Sequence, residues 1–216
     1  MNAMETRLID VDLGGRVLPL YVAADLEALF DDPGDPDQVP CWAEPWPAAR
    51  GLAAHFLQGP AIEGKKVLEL GAGVGLPGIA CGLRGAEVIF SDFQGLALDL
   101  CAANARLHRL PRYRLLQADW RDFTWEERFD LVLASDIAYE PRLLPHLKRV
   151  LLSVSRLGGS IYFSHPRRPV TLSFIEELLE GVLFTGERFT RAVTVPDDRV
   201  RTSYEILIHR LRRTGG

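Results

Sequence analysis

Residues 66–78 read KVLELGAGVGLPG, an apolar run with one acidic residue, followed by three glycines at alternate positions. The pattern predicts a strand, a tight turn and the start of a helix. Glycine tolerates positive φ and has no Cβ, so Gly71, Gly73 and Gly75 would let a ligand lie directly against the backbone. The stretch predicts a cofactor seat, and the competing interpretation is a turn that only needs glycine.

Two kinds of cofactor fit the spacing of this turn. Gly73, Gly75 and Gly78 match the G-x-G-x-x-G pattern of a dinucleotide site, and Asp92 lies far enough downstream to hold a ribose. A dinucleotide would place its pyrophosphate on the amides of the helix N-terminus, where Glu69 would be an unfavourable neighbour for the phosphates. Glu69 therefore favours a cationic ligand over a dinucleotide.

The length and composition fit one globular domain. The chain has 216 residues, of which 47% are hydrophobic and 25% charged, enough for a sizeable core but not for a second catalytic domain. We expect a single domain over residues 1–216, with residues 1–46 as an N-terminal cap that covers the cofactor and residues 47–216 as the core. Within the cap, residues 31–37 read DDPGDPD, which predicts an acidic, mobile loop.

Charge, cysteine content and hydropathy argue against several classes of protein. A formal net charge of −4 does not indicate general nucleic-acid binding. Cys41, Cys81 and Cys101 are odd in number and lack C-x-x-C spacing, which favours reduced thiols over disulfides or a metal site. Since no apolar run approaches the length of a membrane span, we expect a soluble, cytoplasmic protein that does not bind membranes.

Apolar runs alternate with helical patterns, as in a sheet built from βα units. The predicted strands cover residues 66–70, 87–91, 114–117, 130–135, 159–164, 187–195 and 203–209. The predicted helices cover residues 47–58, 76–84, 95–107, 142–154 and 170–180. Because the last two strands are separated by a short connection, they are expected to pair antiparallel. The predicted fold class is α/β, a seven-stranded and mostly parallel sheet with a closing antiparallel hairpin and helices on both faces.

Polar residues follow three of these strands, at the sheet edge where ligands bind in open α/β folds. Asp92 could accept hydrogen bonds from two vicinal hydroxyls, or it could cap the next helix. Asp119 and Trp120 follow the third strand, and Trp120 could equally be a core residue. Asp136 and Tyr139 follow the fourth strand, and their alternatives are a turn cap and a core residue.

The pattern Glu-x-Gly-x-Gly-x-Gly at residues 69–75 resembles the first motif of the Rossmann-like methyltransferases. The elements Asp-x-x-Tyr at 136–139 and WAEPWP at 42–47 resemble those of the seven-stranded protein lysine methyltransferases called family 16. The likeness spans residues 40–165. Methyltransferases that modify amide or base nitrogens usually carry Asn/Asp-Pro-Pro-Tyr/Phe after the fourth strand, and both prolines are missing here.

The resemblance implies S-adenosylmethionine as the cofactor and no metal. Trp46 would close over the cofactor, the glycine turn would line its methionine end, and Asp92 would hold its ribose. Asp119 would lie near the adenine amine, with Trp120 and Ser135 beside the adenosine. The implied cofactor-binding residues are Trp46, Glu69, Gly71, Gly73, Gly75, Asp92, Asp119, Trp120 and Ser135.

The resemblance places Asp136 and Tyr139 at the substrate nitrogen. We hypothesise that Asp136 attracts a lysine ammonium and orients the amine, and that Tyr139 contacts it through its hydroxyl or ring. The predicted function is methylation of a lysine on a protein substrate. The alternatives are a small-molecule N- or O-methyltransferase and a non-catalytic scaffold.

Residues 164–168, SHPRR, are interpreted as a solvated loop, with a site for an acidic substrate as the alternative.

Overall fold

The computed structural model describes residues 4–29, 40–196 and 202–215. Its helices are α1 (Pro47–Gln58), α2 (Leu76–Gly82), α3 (Gly95–Leu107), α4 (Leu144–Val154) and α5 (Pro169–Glu180). Its strands are β1 (Thr6–Asp12), β2 (Val17–Ala23), β3 (Lys66–Leu70), β4 (Glu87–Asp92), β5 (Tyr113–Gln117), β6 (Phe129–Ser135), β7 (Ser155–His165), β8 (Phe184–Thr194) and β9 (Ser203–Arg213). Every predicted helix and strand is present, with boundaries within a few residues. The loop predicted at residues 31–37 lies outside the described residues.

A seven-stranded sheet in the order β5-β4-β3-β6-β7-β9-β8 forms the centre of the protein. Strands β3 to β7 run parallel, and β9 lies antiparallel between β7 and β8. This topology confirms the prediction of an α/β fold whose mostly parallel sheet is closed by an antiparallel hairpin. Strand β3 is buried at every position after Lys66, as expected for a strand covered on both faces.

Strand β7 begins earlier than predicted. It starts at Ser155 rather than at residue 159, and Gly158 lies inside the strand with a φ of 77°. The pairing shifts from Phe129 opposite Ser155 to Leu131 opposite Ser160, so the extra residues form a bulge. Gly158 therefore marks an irregularity within a strand.

Strands β1 and β2 form a separate antiparallel hairpin that was not predicted. The hairpin contacts α3 through Asn104, whose side chain is fully buried. Asn104 Oδ1 accepts a hydrogen bond from the Tyr21 amide at 2.7 Å, and Nδ2 donates to the Tyr21 carbonyl at 2.9 Å and to the Val74 carbonyl at 3.0 Å. The asparagine side chain thus binds the hairpin backbone as a neighbouring strand would.

Two hydrophobic layers cover the central sheet. Helices α1, α2 and α3 and the β1–β2 hairpin contribute to one layer, and helices α4 and α5 contribute to the other. Phe56 on α1 and Phe163 on β7 are among the largest fully buried side chains of the two layers. No helix in the described part of the chain has the length and apolar character needed to span a bilayer.

Candidate active site

A cleft with a cavity volume of about 250 Å³ opens at the carboxyl edge of the sheet, between the segments that follow β3, β4, β5 and β6. Of the predicted site residues, those that line this cleft are Trp46, Glu69, Gly71, Gly73, Asp92, Asp119, Trp120, Ser135, Asp136 and Tyr139. Gly75 does not line it. The fold thus brings the predicted cofactor-binding residues other than Gly75, and the two residues predicted to face the substrate, into one cavity.

The glycine turn after β3 requires glycine for both conformation and space. Gly71, Gly73 and Gly75 have φ values of 57°, 53° and 80°, in the left-handed region that residues with a Cβ rarely adopt. A Cβ on Gly73 would lie 2.9 Å from the Trp42 carbonyl oxygen. A Cβ on Gly75 would instead meet Cys101 Sγ at 3.0 Å, away from the cleft lining. Gly75 therefore shapes the turn from behind, at the N-cap of α2, rather than forming part of the cleft wall.

Glu69 lies at the inner wall of the cleft and is 1% exposed. Its Oε2 accepts a hydrogen bond from the Gly78 amide, in the first turn of α2, at 2.9 Å. Burial raises the pKa of Glu69 to about 8, with a smaller contribution from the nearby charge of Asp92 and an opposing one from the Gly78 bond. A cation that enters the cleft would stabilise the ionised form of this buried carboxyl group.

Asp92 joins the two loops at the ends of β3 and β4. Its Oδ2 accepts a hydrogen bond from the Gly73 amide and its Oδ1 accepts one from the Gln94 amide, each at 3.0 Å. The N-cap of α3 is Gln94, so Asp92 is not the cap itself. Burial raises the pKa of Asp92, and the backbone hydrogen bonds oppose that rise.

The residues at the ends of β5 and β6 differ in whether their polar side chains have hydrogen-bond partners among the described residues. Both oxygens of Asp119 accept hydrogen bonds from Arg121 Nε, at 3.0 and 2.9 Å, and this contact lowers the pKa of Asp119. Ser135 Oγ is buried at the cleft wall, and among the described residues it has no hydrogen-bond partner. Trp120 packs against the second hydrophobic layer and also borders the cleft.

The segment before α1 forms the rim of the cleft. Trp46 is 46% exposed, and its indole Nε1 donates a hydrogen bond to the Cys41 carbonyl at 2.5 Å. Trp42 is half-buried against the first hydrophobic layer. The two tryptophans thus lie over the edge of the sheet, and Trp46 is the more exposed of the two.

Asp136 is held in an uncommon backbone conformation at the end of β6. Its φ is 53°, and its amide donates a hydrogen bond to the Ser164 carbonyl at 2.7 Å. The carboxylate is 8% exposed and is bound on both oxygens by Arg168, with Nε to Oδ1 at 2.5 Å and Nη2 to Oδ2 at 2.8 Å. The carboxylate that is predicted to attract a lysine ammonium thus already has a cationic partner, Arg168.

Arg168 lines the cleft although it was not among the predicted site residues. The solvated loop expected at residues 164–168 is wrong at Ser164 and His165, which are buried, and at Arg168, which lines the cleft. The Arg168 guanidinium also lies over the ring of Tyr139, with Cζ 5.9 Å from the ring centre. Two features of the sequence could have indicated Arg168 as a site residue. It follows a strand at the carboxyl edge of the sheet, and its charge is opposite to that of Asp136.

Comparisons with known proteins relate this chain to protein methyltransferases. Human histone-arginine methyltransferase METTL23 is 37% identical over 103 residues, which cover 44% of this chain and 54% of the relative. Mouse EEF1A lysine methyltransferase 3 is 34% identical over 131 residues, which cover 58% of this chain and 56% of the relative. Mouse electron transfer flavoprotein beta subunit lysine methyltransferase is 30% identical over 137 residues, which cover 62% and 53%. The chain spans about half the length of these curated relatives.

Solved structures share the fold at lower sequence identity. The Pyrococcus horikoshii protein PH1948 has a TM-score of 0.64 at 22% identity and covers 91% of this chain and 94% of its own. The N-methyltransferase NodS from Bradyrhizobium japonicum, in complex with S-adenosyl-L-homocysteine, has a TM-score of 0.62 at 18% identity and covers 88% and 97%. At these identities the likeness concerns the fold alone. A family model described as lysine methyltransferase matches residues 40–180, and the chain therefore belongs to this lysine methyltransferase family.

Proposed function

We propose that this protein is an S-adenosylmethionine-dependent methyltransferase that modifies a lysine side chain of a protein substrate. The observation that carries the proposal is the single cleft that holds Glu69 and Asp92 together with Asp136 and Tyr139. The lysine methyltransferases among the relatives support a protein as the substrate. The proposal assigns the first two residues to the cofactor and the last two to the acceptor nitrogen.

Three polar groups of the cleft suit S-adenosylmethionine. Asp92 uses one acceptor position on each oxygen for a backbone amide, and a carboxylate has further lone pairs that can accept from two ribose hydroxyls. Glu69 is a buried carboxyl group next to the glycine turn, where a positive charge on the ligand would stabilise its ionised form. Ser135 Oγ is a buried hydroxyl whose hydrogen-bonding capacity no described residue satisfies. These groups fit a ligand that carries an amine, hydroxyls and ring nitrogens.

Bound S-adenosylmethionine would supply an electrophilic methyl group on a sulfonium centre. Asp136 and Tyr139 would then hold the acceptor nitrogen in line with that group, since the rate of a displacement depends strongly on alignment and distance. A lysine side chain has an unperturbed pKa of about 10.4, so its nitrogen must lose a proton to water before it can attack. The rigid backbone of Asp136, fixed by its bond to Ser164, suits a role in orientation.

The test is methyl transfer from methyl-labelled S-adenosylmethionine to the proteins of a cell lysate. We expect label on a discrete protein, recovered as methyl-lysine after acid hydrolysis. Asp136→Ala should transfer about a hundredfold less label, because a loss of alignment at the reacting atoms can cost a factor of that size. Its dissociation constant for S-adenosylmethionine, measured by calorimetry, should stay within about threefold of the wild-type value, equivalent to less than 1 kcal/mol.

The matched control is Asp99→Ala, which removes an exposed aspartate of α3 that does not line the cleft. This variant should transfer label at the wild-type rate. Label found only in small molecules would contradict a protein substrate. Full transfer by Asp136→Ala would contradict the role given to Asp136.

A further inference from the structure

Arg168 neutralises Asp136 at the acceptor end of the cleft, which is the end that holds Asp136 and Tyr139. The proposed function gives this neutralisation no role. Its guanidinium engages both oxygens of Asp136, a carboxylate that is only 8% exposed. Bidentate arginine–carboxylate contacts are strong and fix geometry as well as charge. The acceptor nitrogen would therefore meet a neutral ion pair rather than an anion.

The structure holds Arg168 firmly in this position. The Arg168 amide donates a hydrogen bond to His165 Nδ1 at 3.0 Å, and α5 begins at the next residue, Pro169. His165 is fully buried, and this burial lowers its pKa to about 4, so Nδ1 remains an acceptor at neutral pH. The loop after β7 is further tied to the loop after β6 by the bond from the Asp136 amide to the Ser164 carbonyl. Arg168 is thus a fixed part of the cleft wall.

A lone carboxylate beside a lysine nitrogen would favour the ammonium, which is the unreactive form, whereas a nearby cation disfavours it. We propose that Arg168 is a positioning residue that neutralises Asp136, so that the cleft admits the acceptor lysine as its neutral amine. The proton is left in bulk water, and Asp136 keeps an oxygen lone pair with which to orient the amine. This inference rests on the proposed function, because it concerns the nitrogen that would be methylated.

Other ionisable groups line the same cleft. The experiment has to distinguish their influence on the pH dependence of the rate from that of Arg168. Arg121 is paired with Asp119 and Arg7 is paired with Glu44, so these carboxylates already have cationic partners. Cys41 interacts electrostatically with both Arg168 and Asp136, and burial raises the pKa of its thiol. The remaining ionisable groups in the lining are Glu69, Asp92 and Tyr139. Measurements in a Cys41→Ala background remove the thiol from the comparison.

The experiment is the rate of label transfer to lysate proteins at saturating S-adenosylmethionine, from about pH 6 to about pH 10, which approaches the pKa of free lysine. Arg168→Gln should move the midpoint of the pH–rate profile up by about one unit, because it leaves the carboxylate unpaired. The rate near neutral pH should then fall about tenfold and recover at alkaline pH. Arg168→Lys keeps the charge and should keep the wild-type midpoint, even where its rate is lower.

Asp136→Asn provides a second variant with the opposite expectation, because it leaves the guanidinium without its carboxylate. Its midpoint should move down, whatever its residual rate, and it serves alone if Arg168→Gln does not fold. A uniform loss of rate in both variants, with no change of midpoint, would assign Arg168 a purely structural role and overturn the inference. If the wild-type protein binds S-adenosylmethionine in calorimetry but labels no protein, the proposed function fails, and the inference fails with it.

Discussion

The two ends of the cleft fix their carboxylates in different ways. At the glycine turn, Glu69 accepts a hydrogen bond from the amide of Gly78 and Asp92 accepts one from the amide of Gly73. Beside Tyr139, the carboxylate of Asp136 is bound by a side chain instead, that of Arg168. Within the described residues, neither Glu69 nor Asp92 forms an ion pair, whereas Asp136 does.

The two ends therefore differ in the contacts that stabilise their structure and in whether their carboxylates have a cationic partner. Backbone amides are in position as soon as the strand, turn and helix have formed, so the cofactor end depends on local structure. The acceptor end requires two loops, 32 residues apart in the chain, to meet through an ion pair. Among the described residues, the carboxyl groups of the first end have no cationic partner and are available to a cationic ligand, while the carboxylate of the second end is already neutralised by Arg168.

The largest effect should come from Asp92→Ala. The change removes the acceptors for the Gly73 and Gln94 amides and the proposed ribose contact. Hydrogen bonds to a charged group contribute about 1.5–3 kcal/mol each, so we expect at least about a hundredfold weaker binding of S-adenosylmethionine. Calorimetry measures this constant. Since Asp136→Ala should leave it nearly unchanged, equal losses in the two variants would break the distinction between the ends.

The next effect should come from Gly73→Ala, measured as the free energy of unfolding in denaturant. The substitution adds left-handed strain and a Cβ that would lie 2.9 Å from the Trp42 carbonyl oxygen. We expect a loss of about 2–4 kcal/mol. Gly64→Ala is the matched control, because Gly64 also has a positive φ but has no atom within 4 Å of an added Cβ among the described residues. A loss of about 1 kcal/mol in both variants would show that crowding at the turn is unimportant.

Glu69 should make the stability of the ligand-free protein depend on pH. Its pKa is about 8 in the folded protein and 4.5 as the ordinary value, so between these pH values the folded state holds a proton that the unfolded state has lost. The contribution of Glu69 to the free energy of unfolding therefore falls as pH rises from 4.5 to about 8, by at most about 1.4 kcal/mol per pH unit.

Denaturant unfolding at several pH values measures this slope. Glu69→Gln should flatten it, whereas Glu63→Gln, at an exposed position just before β3, should leave it as in the wild type. An unchanged slope in Glu69→Gln would mean that the buried carboxyl group is ionised throughout. That result would sharpen the contrast between the two ends, because the cofactor end would then carry a negative charge with no cationic partner in the described part of the chain, while Asp136 stays paired with Arg168.

The smallest effect should come from Arg7→Ala at the rim. Arg7 Nη2 lies 2.7 Å from Glu44 Oε1, but both side chains are largely open to solvent, at 49% and 40%. Exposed pairs contribute up to about 1 kcal/mol, so we expect a change of that size or less in the free energy of unfolding. A larger loss would indicate that the N-terminal hairpin, which carries Arg7, supports the cleft more strongly than the buried contacts suggest.

The cofactor end could be predicted from the sequence because its determinants are close together in the chain. An acidic residue in an apolar run and glycines at alternate positions specify a strand and a turn by local geometry alone. Gly71 and Gly73 reach the cleft as expected, and only the third glycine, Gly75, faces the interior instead. The regular alternation of strands and helices likewise made the sheet predictable, since each element has its own period.

The other features depend on contacts that no local pattern encodes. Arg168 follows a buried strand end and precedes a proline that starts a helix, and such a position does not reveal which loop the side chain will meet. The β1–β2 hairpin is too short to be stable alone, and it is attached through buried apolar side chains and through Asn104, which is far away in sequence. Both features arise from tertiary contacts, which is why the sequence patterns did not predict them.

Asn104 connects two parts of the molecule that are far apart in the sequence. The same amide group binds Tyr21 in the hairpin and Val74 in the glycine turn. Opening of the hairpin therefore costs the turn one of its restraints, and a ligand that orders the turn would make such opening rarer. By linkage, the effect is reciprocal: any surface that clamps the hairpin would tighten the turn from a distance. A buried asparagine thus gives this small fold a route for communication between its N-terminal strands and its cleft.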